Sequence, residues 1–356
     1  MRDMSMLRVG MIGLGGIARS HCDAIAGLAD VEVVACADLI EANRNVFMQK
    51  YQIARGYTSH TDLLADTDVD AVGVVLGHHL HHRLTVDALN AGKHVLVEKP
   101  MAVTLEQCDE MIETAHTNGV KLMVGLTNHF LPSSVKAKEI LDSGALGPLI
   151  TIVSYMSKNW GHAKRRPQYR SRYHGGGMWL SNGVHVVDRV TWLMASQASS
   201  VSAAIGTRAH YQASDDSATA FIRYKNGLAG VAVSVGYADG GPIHDTHVIC
   251  ANGSLRFNHS KDADIRGLWM GQNDVWTPVE HDDWPDNMRL EWSRFAEAIE
   301  KDIEPPVPGE YGRHIQEILL AAEASEITRS EVALPSGLAW DSQVTGEPIQ
   351  VEHGWV

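Results

Sequence analysis

The sequence is poor in cysteine and lacks long apolar runs. Four cysteines are scattered over 356 residues, and no CxxC pair occurs. Isolated thiols predict neither a disulfide framework nor a cysteine-based metal site, and they are typical of a reducing compartment. The apolar stretch at 9–17 is broken by four glycines and no A-x-A cleavage site follows it, so it predicts neither a membrane span nor a signal peptide. We expect a soluble, cytoplasmic protein.

Positive charge is also scarce. Lys and Arg number 30 against 43 Asp and Glu, which leaves a net charge of −13. This balance argues against general affinity for nucleic acid or an anionic membrane surface, so any anionic ligand needs a local basic patch. Apolar residues make up 44% of the chain, and 356 residues exceed what one hydrophobic core usually supports. Two domains are therefore expected.

A glycine turn near the N-terminus predicts a dinucleotide-binding fold. The apolar run LRVGMIGLG (7–15) leads into a G-x-G-x-x-A pattern at 13–18, and a helical stretch follows. Gly13 permits the tight bend, Gly15 lets the backbone approach a pyrophosphate, and the helix N-terminus offers N–H groups to the phosphates. The next apolar run ends in Asp38, where a carboxylate suits the ribose hydroxyls of NAD and repels the 2′-phosphate of NADP. Arg44 keeps NADP as the alternative.

Strands and helices continue to alternate up to residue 128. The runs DAVGVVLG (70–77), HVLVEKP (94–100) and VKLMVGLTN (120–128) have strand length, and helical stretches lie between them. One helix begins with the capping-box sequence TLEQ at Thr104. The fold class is α/β, with a doubly wound parallel sheet whose ligands bind beyond the carboxyl ends of the strands.

The rhythm changes after residue 148. Candidate strands such as LITIVSYM (149–156), ATAFIRY (218–224) and LAGVAVSVG (228–236) are separated by turn signals, including Asn226-Gly227. This pattern predicts an antiparallel sheet with one face open to a partner, and hence a homodimer or homotetramer. Helices are expected near 286–301 and 309–330.

Three segments and the glycine turn resemble the glucose-fructose oxidoreductase / inositol dehydrogenase / MocA (Gfo/Idh/MocA) family. The segments are HHLHHRLTVDALNAGKHVLVEKPMA (78–102), GGGMWLSNGVHVVDRVTWL (175–193) and RFAEAIEKDIEPPVPGEYGRHIQEILLAAEAS (294–325). The resemblance implies a Rossmann NAD-binding domain over 1–128, an α+β domain for substrate binding and oligomerisation with an open, mainly antiparallel sheet over 129–336, and a tail over 337–356. It also implies an NAD(P)-dependent dehydrogenase or reductase that acts on CH–OH groups.

Two catalytic residues follow from the resemblance. In the family the Lys of Glu-Lys-Pro lies near nicotinamide and substrate, which points to Lys99; a partly desolvated lysine there can exchange protons near neutrality because its pKa is lowered. The family's second motif reads GGG-x-x-x-D-x-G-x-H-x-x-D, and here it supplies His185 and Asp188. His185 is the second candidate, since the ordinary pKa of histidine lies near neutrality. Ser181 replaces the first Asp, and a serine can donate a hydrogen bond but cannot act as a base at neutral pH.

The cofactor contacts also follow from the resemblance. NAD is the expected cofactor. The stretch GHHLHH (77–82) aligns with the family's T-P-N-H-L-H loop, so His79 and His81 are expected beside the cofactor rather than on a metal, and His78 and His82 are expected to be solvated or capping residues. The expected cofactor-binding residues are Gly13, Gly15, Gly16, Ile17, Asp38, Leu76, Gly77, His79, His81, Glu98 and Lys99.

A basic segment precedes the second motif. Residues 143–187 contain no Asp or Glu, whereas KNWGHAKRRPQYRSRYHGGG (158–177) carries six Lys and Arg side chains. Arginine forks bind carboxylate, sulfonate or phosphate bidentately, so the segment predicts a substrate with an acidic group. The alternative is a solvated loop or an oligomer interface. The expected substrate-binding residues are Ser181, Asn182, Asn128, Trp160, Arg166, Tyr169, Arg170 and Asp188.

The predicted function is NAD-dependent oxidation of a secondary hydroxyl on a sugar, cyclitol or sugar acid, or reduction of the matching ketone. Three alternatives stay open: a carboxylated dihydrodiol dehydrogenase, an enzyme that cleaves glycosides by transient oxidation and elimination, and a non-catalytic NAD-binding regulatory protein. No metal, nucleic acid or membrane partner is expected.

Overall fold

The structure is a computed structural model that describes residues 6–161, 165–259, 266–282 and 286–335. The chain divides into two units, one made of residues 1–130 and 284–313 and the other of residues 131–283 and 314–356. The predicted tail at 337–356 lies outside the described residues. Within the described ranges, no helix is both long and apolar enough to cross a membrane.

A parallel sheet forms the centre of the first unit. Its strands are β1 (Leu7–Ile12), β2 (Val31–Ala37), β3 (Arg55–Tyr57), β4 (Ala71–Val74), β5 (His94–Glu98) and β6 (Leu122–Gly125). They lie in the order β3-β2-β1-β4-β5-β6, with every pairing parallel. The central strand β4 is apolar throughout and β1 is apolar except for Arg8, as expected of a sheet that helices cover on both faces. The predicted doubly wound α/β domain is confirmed.

The helices of the first unit follow its strands. They are α1 (Gly16–Ile25), α2 (Glu41–Tyr51), α3 (His60–Leu64), α4 (His78–Asn90), α5 (Leu105–Asn118) and α8 (Asp286–Glu300). At the start of α5, the Thr104 side chain accepts from the backbone N–H of Gln107 and the Gln107 side chain accepts from the backbone N–H of Thr104, so the predicted capping box is present. Two otherwise unsatisfied N–H groups are thereby bonded.

The boundaries of the units differ from the predicted domains in one segment. Residues 284–313 pack with the first unit, whereas the sequence places the whole of 129–336 in the second domain. The physical reason is the apolar face of α8, where Trp292 and Phe295 have no exposed surface. This face packs against α1, so burying it attaches the segment to the first unit.

The second unit contains a nine-stranded sheet. Its strands are β7 (Leu149–Asn159), β8 (Ala198–Gly206), β9 (Ser217–Tyr224), β10 (Ala229–Tyr237), β11 (Ile243–Cys250), β12 (Gly253–Asn258), β13 (Gly267–Gln272), β14 (Val275–Glu280) and β15 (Val332–Ala333). Their order is β14-β13-β12-β11-β7-β10-β9-β8-β15, and β7 and β10 are the parallel pair among antiparallel neighbours. The predicted open, mainly antiparallel sheet is confirmed.

Helices cover one face of this sheet. They are α6 (Pro132–Asp142), α7 (Val184–Met194) and α9 (Gly309–Thr328), of which α9 belongs to the second unit from residue 314. The α7 helix packs on β7 and β10 and is preceded by one wide helical turn at Trp179–Gly183. Wide turns of this kind occur often at functional sites. The turn and the first residues of α7 hold the second sequence motif.

Candidate active site

The glycine turn of the first unit has the conformation that the sequence predicts. Gly13 lies at φ +87°, and a Cβ at this position would overlap the backbone carbonyl of Val75 and the side chain of Leu76. The backbone N–H of Gly13 donates to the carbonyl of Ala37 (2.9 Å), which joins the turn to the end of β2. Glycine is required here both for the backbone angle and for the close approach.

Asp38 lies against the same turn. Its Oδ2 accepts from the backbone N–H of Leu14 (2.9 Å) and its Oδ1 from the backbone N–H of Ile40 (2.8 Å). The guanidinium of Arg44 donates to the backbone carbonyl of Asp38 (2.6 Å). The carboxylate is therefore fixed beside the turn, where ribose hydroxyls of a dinucleotide can donate to its remaining lone pairs.

The N-terminus of α1 supplies the phosphate-binding features. No atom lies within 4 Å of the positions that a Cβ would occupy on Gly15 or Gly16. No side chain caps the helix and its first turn has no acidic residue, while Ile17 is exposed. Unpaired N–H groups beside open space fit an anionic pyrophosphate. These features together fit a nicotinamide dinucleotide.

The second stretch of expected cofactor residues lies at the start of α4. Gly77 precedes the first helical residue, and Leu76, Gly77 and His79 are each partly exposed. His81 is fully buried, and its Nδ1 lies 2.8 Å from the carbonyl oxygen of Pro100. The Nδ1 proton is therefore donated to that carbonyl, and burial lowers the pKa of His81, so its ring is neutral.

The two remaining histidines of this stretch have different surroundings. His78 is buried, with 6% of its surface exposed, rather than solvated. His82 Nε2 lies 2.7 Å from a carboxylate oxygen of Glu110 on α5. Helix α4 packs against α5, which places His82 beside Glu110. In the described part of the chain, no three His, Cys, Asp or Glu residues are arranged to hold a metal ion.

A buried hydrogen-bond chain ends at the backbone of Lys99. Trp292 Nε1–H donates to Nδ1 of His21 (3.0 Å), so the His21 proton resides on Nε2 and is donated to Glu98 Oε1 (3.0 Å). Glu98 Oε2 accepts the backbone N–H of Lys99 (3.1 Å). Although burial opposes it, the hydrogen bond from His21 holds the pKa of Glu98 below its ordinary value. The sequence motif includes Glu98, but nothing local indicates its partners His21 and Trp292.

Lys99 itself is partly exposed between two buried residues. Its N–H is bonded by Glu98, and the carbonyl of the following Pro100 accepts from His81. The side chain thus projects from a backbone that is held on both sides, as expected of a group that meets substrate or cofactor. Asn128, in the short helical turn after β6, is 8% exposed in the same unit.

The second unit brings four polar residues to the start of α7. Ser181 and Asn182 lie in the wide turn and are mostly buried, whereas His185 is partly exposed one turn further on. Lys158 Nζ, at the end of β7, lies 3.4 Å from Asn182 Oδ1. Asp188 is fully buried, in contrast to the ligand-facing position predicted for it. The arrangement can donate hydrogen bonds and exchange a proton at His185.

Asp215 anchors the glycine segment that leads into the wide turn. Its Oδ2 accepts the backbone N–H of Trp179 (2.7 Å), and a Cβ on Gly177, which lies at φ +107°, would overlap its Oδ1. Burial and the neighbouring Glu323 raise the pKa of Asp215 from 3.8 to about 7. The folded protein therefore binds a proton here that the unfolded chain releases near pH 4.

This carboxyl group predicts a pH-dependent stability. Because the folded pKa is raised, the contribution of Asp215 to stability is full below pH 4 and falls as the pH rises towards 7. We expect Asp215→Asn to equal the wild type in urea midpoint at about pH 3.5, below the unfolded pKa, and to exceed it at pH 8. Asp30→Asn, at an exposed position, serves as the control. Equal destabilisation by Asp215→Asn at both pH values would contradict the assignment.

The basic segment is largely engaged within the fold. Arg172 is buried and forms a bidentate ion pair with Glu323, with both N–O distances at 2.6 Å. The guanidinium of Arg165 lies 3.6 Å from the ring centre of Trp160 and donates to its backbone carbonyl. Lys164 lies outside the described residues. No Asp or Glu lies near Arg172 and Arg165 in the sequence. Their guanidinium groups are nevertheless engaged within the fold and are not available to a ligand.

Trp160, one of the expected substrate-binding residues, is also covered. Trp160 has no exposed surface, and its Nε1 donates to Gln212 Oε1 (2.9 Å). Arg165 covers one face of the Trp160 ring. Trp160 is therefore a core residue, which corrects its prediction as a substrate-binding residue. Arg166 is exposed and Tyr169 is partly exposed. Arg170 lines an open pocket of about 400 Å³ with Tyr211, Gln212 and Ala213.

Two family models match the chain. Residues 7–126 match the oxidoreductase family with an NAD-binding Rossmann fold, and residues 134–256 match the GFO/IDH/MocA C-terminal domain. The chain is 31% identical over 232 residues to 1-carboxy-3-chloro-3,4-dihydroxycyclo hexa-1,5-diene dehydrogenase of Comamonas testosteroni, a match over 65% of this chain and 58% of that protein. It is 31% identical to inositol 2-dehydrogenase of Salmonella typhimurium over 53% of this chain and 54% of that protein.

A solved structure shares the fold over almost the whole length. Aldose-aldose oxidoreductase from Caulobacter crescentus superposes with a TM-score of 0.84 at 24% identity, over 92% of this chain and 100% of that chain. The parallel six-stranded sheet, the glycine turn, the Glu98-Lys99-Pro100 segment and the open second sheet agree with both family models. The chain belongs to the Gfo/Idh/MocA family of oxidoreductases.

Proposed function

We propose that the protein is an NAD-dependent dehydrogenase or reductase that acts on a secondary hydroxyl, or the matching ketone, of a cyclic substrate. The observation that carries the proposal is the position of Lys99. Its side chain is partly exposed, while hydrogen bonds to Glu98 and from His81 hold the backbone before and after it. A dinucleotide-binding turn in the same unit supports the cofactor, and family membership supports the reaction class.

The chemistry requires the protein to manage one proton. In the oxidative direction the substrate loses a hydride from the carbinol carbon and a proton from the hydroxyl. Bound NAD⁺ supplies the nicotinamide ring that accepts the hydride. We assign Lys99 of the first unit and His185 of the second as the groups that exchange the proton, because amine and imidazole bases suit this task near neutral pH. Ser181 and Asn182 orient the substrate by hydrogen bonding.

The relatives support a ring-shaped polyol or diol as substrate. One is named for an inositol and another for a carboxylated dihydroxycyclohexadiene. With Ser181 in place of a carboxylate, the second unit carries less negative charge at this position than the family pattern does. This difference favours a substrate with an acidic group over a neutral cyclitol.

Asp38 predicts the choice of cofactor. We expect wild type to prefer NAD over NADP, because a fixed carboxylate accepts from ribose hydroxyls and repels a 2′-phosphate. Asp38→Asn keeps an acceptor oxygen but removes the charge, so the ratio of kcat/KM for NAD to that for NADP should fall about 10- to 100-fold. Steady-state rates with both cofactors measure the ratio. A wild-type preference for NADP would refute the role of Asp38.

One screen separates the proposed reaction from its alternatives. Neutral and carboxylated cyclic alcohols are incubated with the protein and NAD or NADP, and both reduced cofactor and organic product are followed. Reduced cofactor formed in step with ketone supports the dehydrogenase. Glycoside cleavage without net reduced cofactor would identify transient oxidation and elimination. Cofactor binding with no turnover over the whole panel would leave a regulatory protein.

We also propose a cytoplasmic homo-oligomer. All four cysteines are buried and free, which supports a reducing compartment. The strands of the second sheet leave apolar side chains outward, with Phe221 39%, Ile243 46% and Ile249 38% exposed. Burying such a sheet face against a second copy removes apolar surface from water. Sedimentation analysis tests the assembly, and a monomer at micromolar concentration would refute it.

A further inference from the structure

Helix α7 carries a buried arginine whose guanidinium group has hydrogen-bond acceptors on one side only. Arg189 is 2% exposed, and its Nη1 donates to Thr246 Oγ1 and His244 Nε2, each at 3.2 Å. Its Nε and Nη2 are also buried, and no described residue accepts a hydrogen bond from either atom. These two nitrogens point in the same direction and form the fork with which arginine binds both oxygens of a carboxylate.

The groups that touch Arg189 do not neutralise it. His244 Nε2 accepts from a guanidinium, which can only donate, so the His244 ring is neutral with its proton on Nδ1. Burial and the charge of Arg189 hold the pKa of His244 well below its ordinary value. Lys158 and His185 also lower the pKa of His244. His244 therefore adds no negative charge to the fork.

Two carboxylates lie within electrostatic reach, but neither occupies the fork. Asp188 and Asp282 both favour the charged form of Arg189. Asp282 is already bonded by the backbone N–H and the hydroxyl of Ser133, at 2.9 and 2.7 Å. Three N–H bonds of a buried cation thus lack acceptors among the described residues, which is a costly arrangement in a folded protein.

The fork lies close to the proposed catalytic histidine. His185 and Arg189 are four residues apart on α7, so they share one face of the helix with Cβ atoms about 5–6 Å apart. Long side chains on a helix lean towards its N-terminus, which brings the guanidinium towards His185.

We propose that Arg189 binds the carboxylate of a cyclic hydroxy acid whose reacting hydroxyl meets His185. This inference rests on the proposed dehydrogenase function and names its substrate class. It differs from the anion site predicted in the basic segment, where Arg172 and Arg165 are engaged within the fold, whereas Arg166 and Arg170 stay predictions. Both fork nitrogens are shielded from bulk water. Water and salt therefore screen little of their attraction for an anion that displaces the side chains covering them.

The first test measures binding without turnover. Benzoate is the anionic probe and benzamide its neutral counterpart, and the melting temperature is measured for the wild type and four variants. We expect benzoate, but not benzamide, to raise the Tm of the wild type and of Arg223→Met, an exposed arginine of the same unit. We expect no benzoate shift for Arg189→Met. This variant should fold at least as stably as the wild type, because it removes a buried charge of which three N–H bonds lack acceptors.

Arg189→Lys provides a second variant that keeps the positive charge and loses the fork. We expect it to weaken benzoate binding at least tenfold relative to the wild type. An unchanged benzoate shift in Arg189→Met, or the absence of a shift in the wild type, would overturn the proposal. Loss of the shift in Arg170→Met instead would also overturn it, since the anion would then occupy the open pocket at Arg170.

The second test uses turnover to distinguish failure of the carboxylate site from failure of the dehydrogenase function. A cyclohexadiene cis-diol is compared with its ring-carboxylated counterpart, with NAD as cofactor. Arg189→Met should lower kcat/KM for the carboxylated diol about 100-fold and that for the neutral diol less than threefold. Equal wild-type rates on both diols would refute the carboxylate site and leave the dehydrogenase intact. Arg189-dependent benzoate binding without oxidation of any cyclic alcohol would support the site and refute the dehydrogenase.

Discussion

Replacing Lys99 with Met is expected to lower kcat by about 10²- to 10⁴-fold, the range that general acid–base catalysis usually contributes. Methionine keeps most of the side-chain length and removes the amine. The backbone around Lys99 is held by Glu98 and by the contact of His81 with Pro100, so the substitution should leave the local fold unchanged. Steady-state rates and NADH titration by fluorescence separate a loss of chemistry from a loss of cofactor.

The matched control is Lys136→Met, which removes an exposed lysine that pairs with Glu139 on α6. It should leave kcat within about twofold, because exposed ion pairs of this kind contribute little. Lys99→Met that retains more than a tenth of wild-type kcat would show that another group exchanges the proton. His185→Asn would then become the next variant to measure, since histidine is the other base assigned to the reaction.

Replacing Arg172 with Met is expected to lower the free energy of unfolding by about 3–5 kcal/mol, because it leaves Glu323 buried without its partner. A loss of this size is a large fraction of the stability of an ordinary domain. Urea unfolding at pH 7 measures it. The double variant Arg172→Met with Glu323→Leu should recover most of the loss, since it removes both buried charges together.

Arg223→Met is the matched control for this pair as well. Arg223 and Glu331 form an ion pair in which both side chains are about half exposed, so its removal should cost less than about 1 kcal/mol. An Arg172→Met variant with wild-type stability and a greatly raised KM would contradict the structural role of Arg172 and indicate a contact with substrate.

Local features were predictable from the sequence because neighbouring residues determine them. The turn at Gly13, the capping box at Thr104 and the apolar runs of the parallel strands each depend on a few adjacent side chains. The family motif similarly identifies Lys99 and His185 as candidates, because short spacings along the chain carry that pattern. These positions needed no knowledge of long-range packing.

Long-range pairs were not predictable in the same way. Arg172 and Glu323 are 151 residues apart, and His21 and Trp292 are 271 apart, so neither partner is indicated near the other in the sequence. Arg189 follows the motif residue Asp188 and resembles an ordinary polar helix position until its burial is seen. Charge density along the chain did not point to Arg189, because burial and pairing decide which charge remains available to a ligand.

The division of the chain into units also has a consequence for its synthesis on the ribosome. The first unit needs residues 284–313, which include Trp292 and the hydrogen bond from its indole to His21. These residues emerge only after the whole of 131–283 has been translated. Until then the nascent first unit lacks α8. The surface that α8 covers in the folded protein therefore stays exposed while the other unit is made. Protection of this surface by a chaperone would be most valuable during that interval.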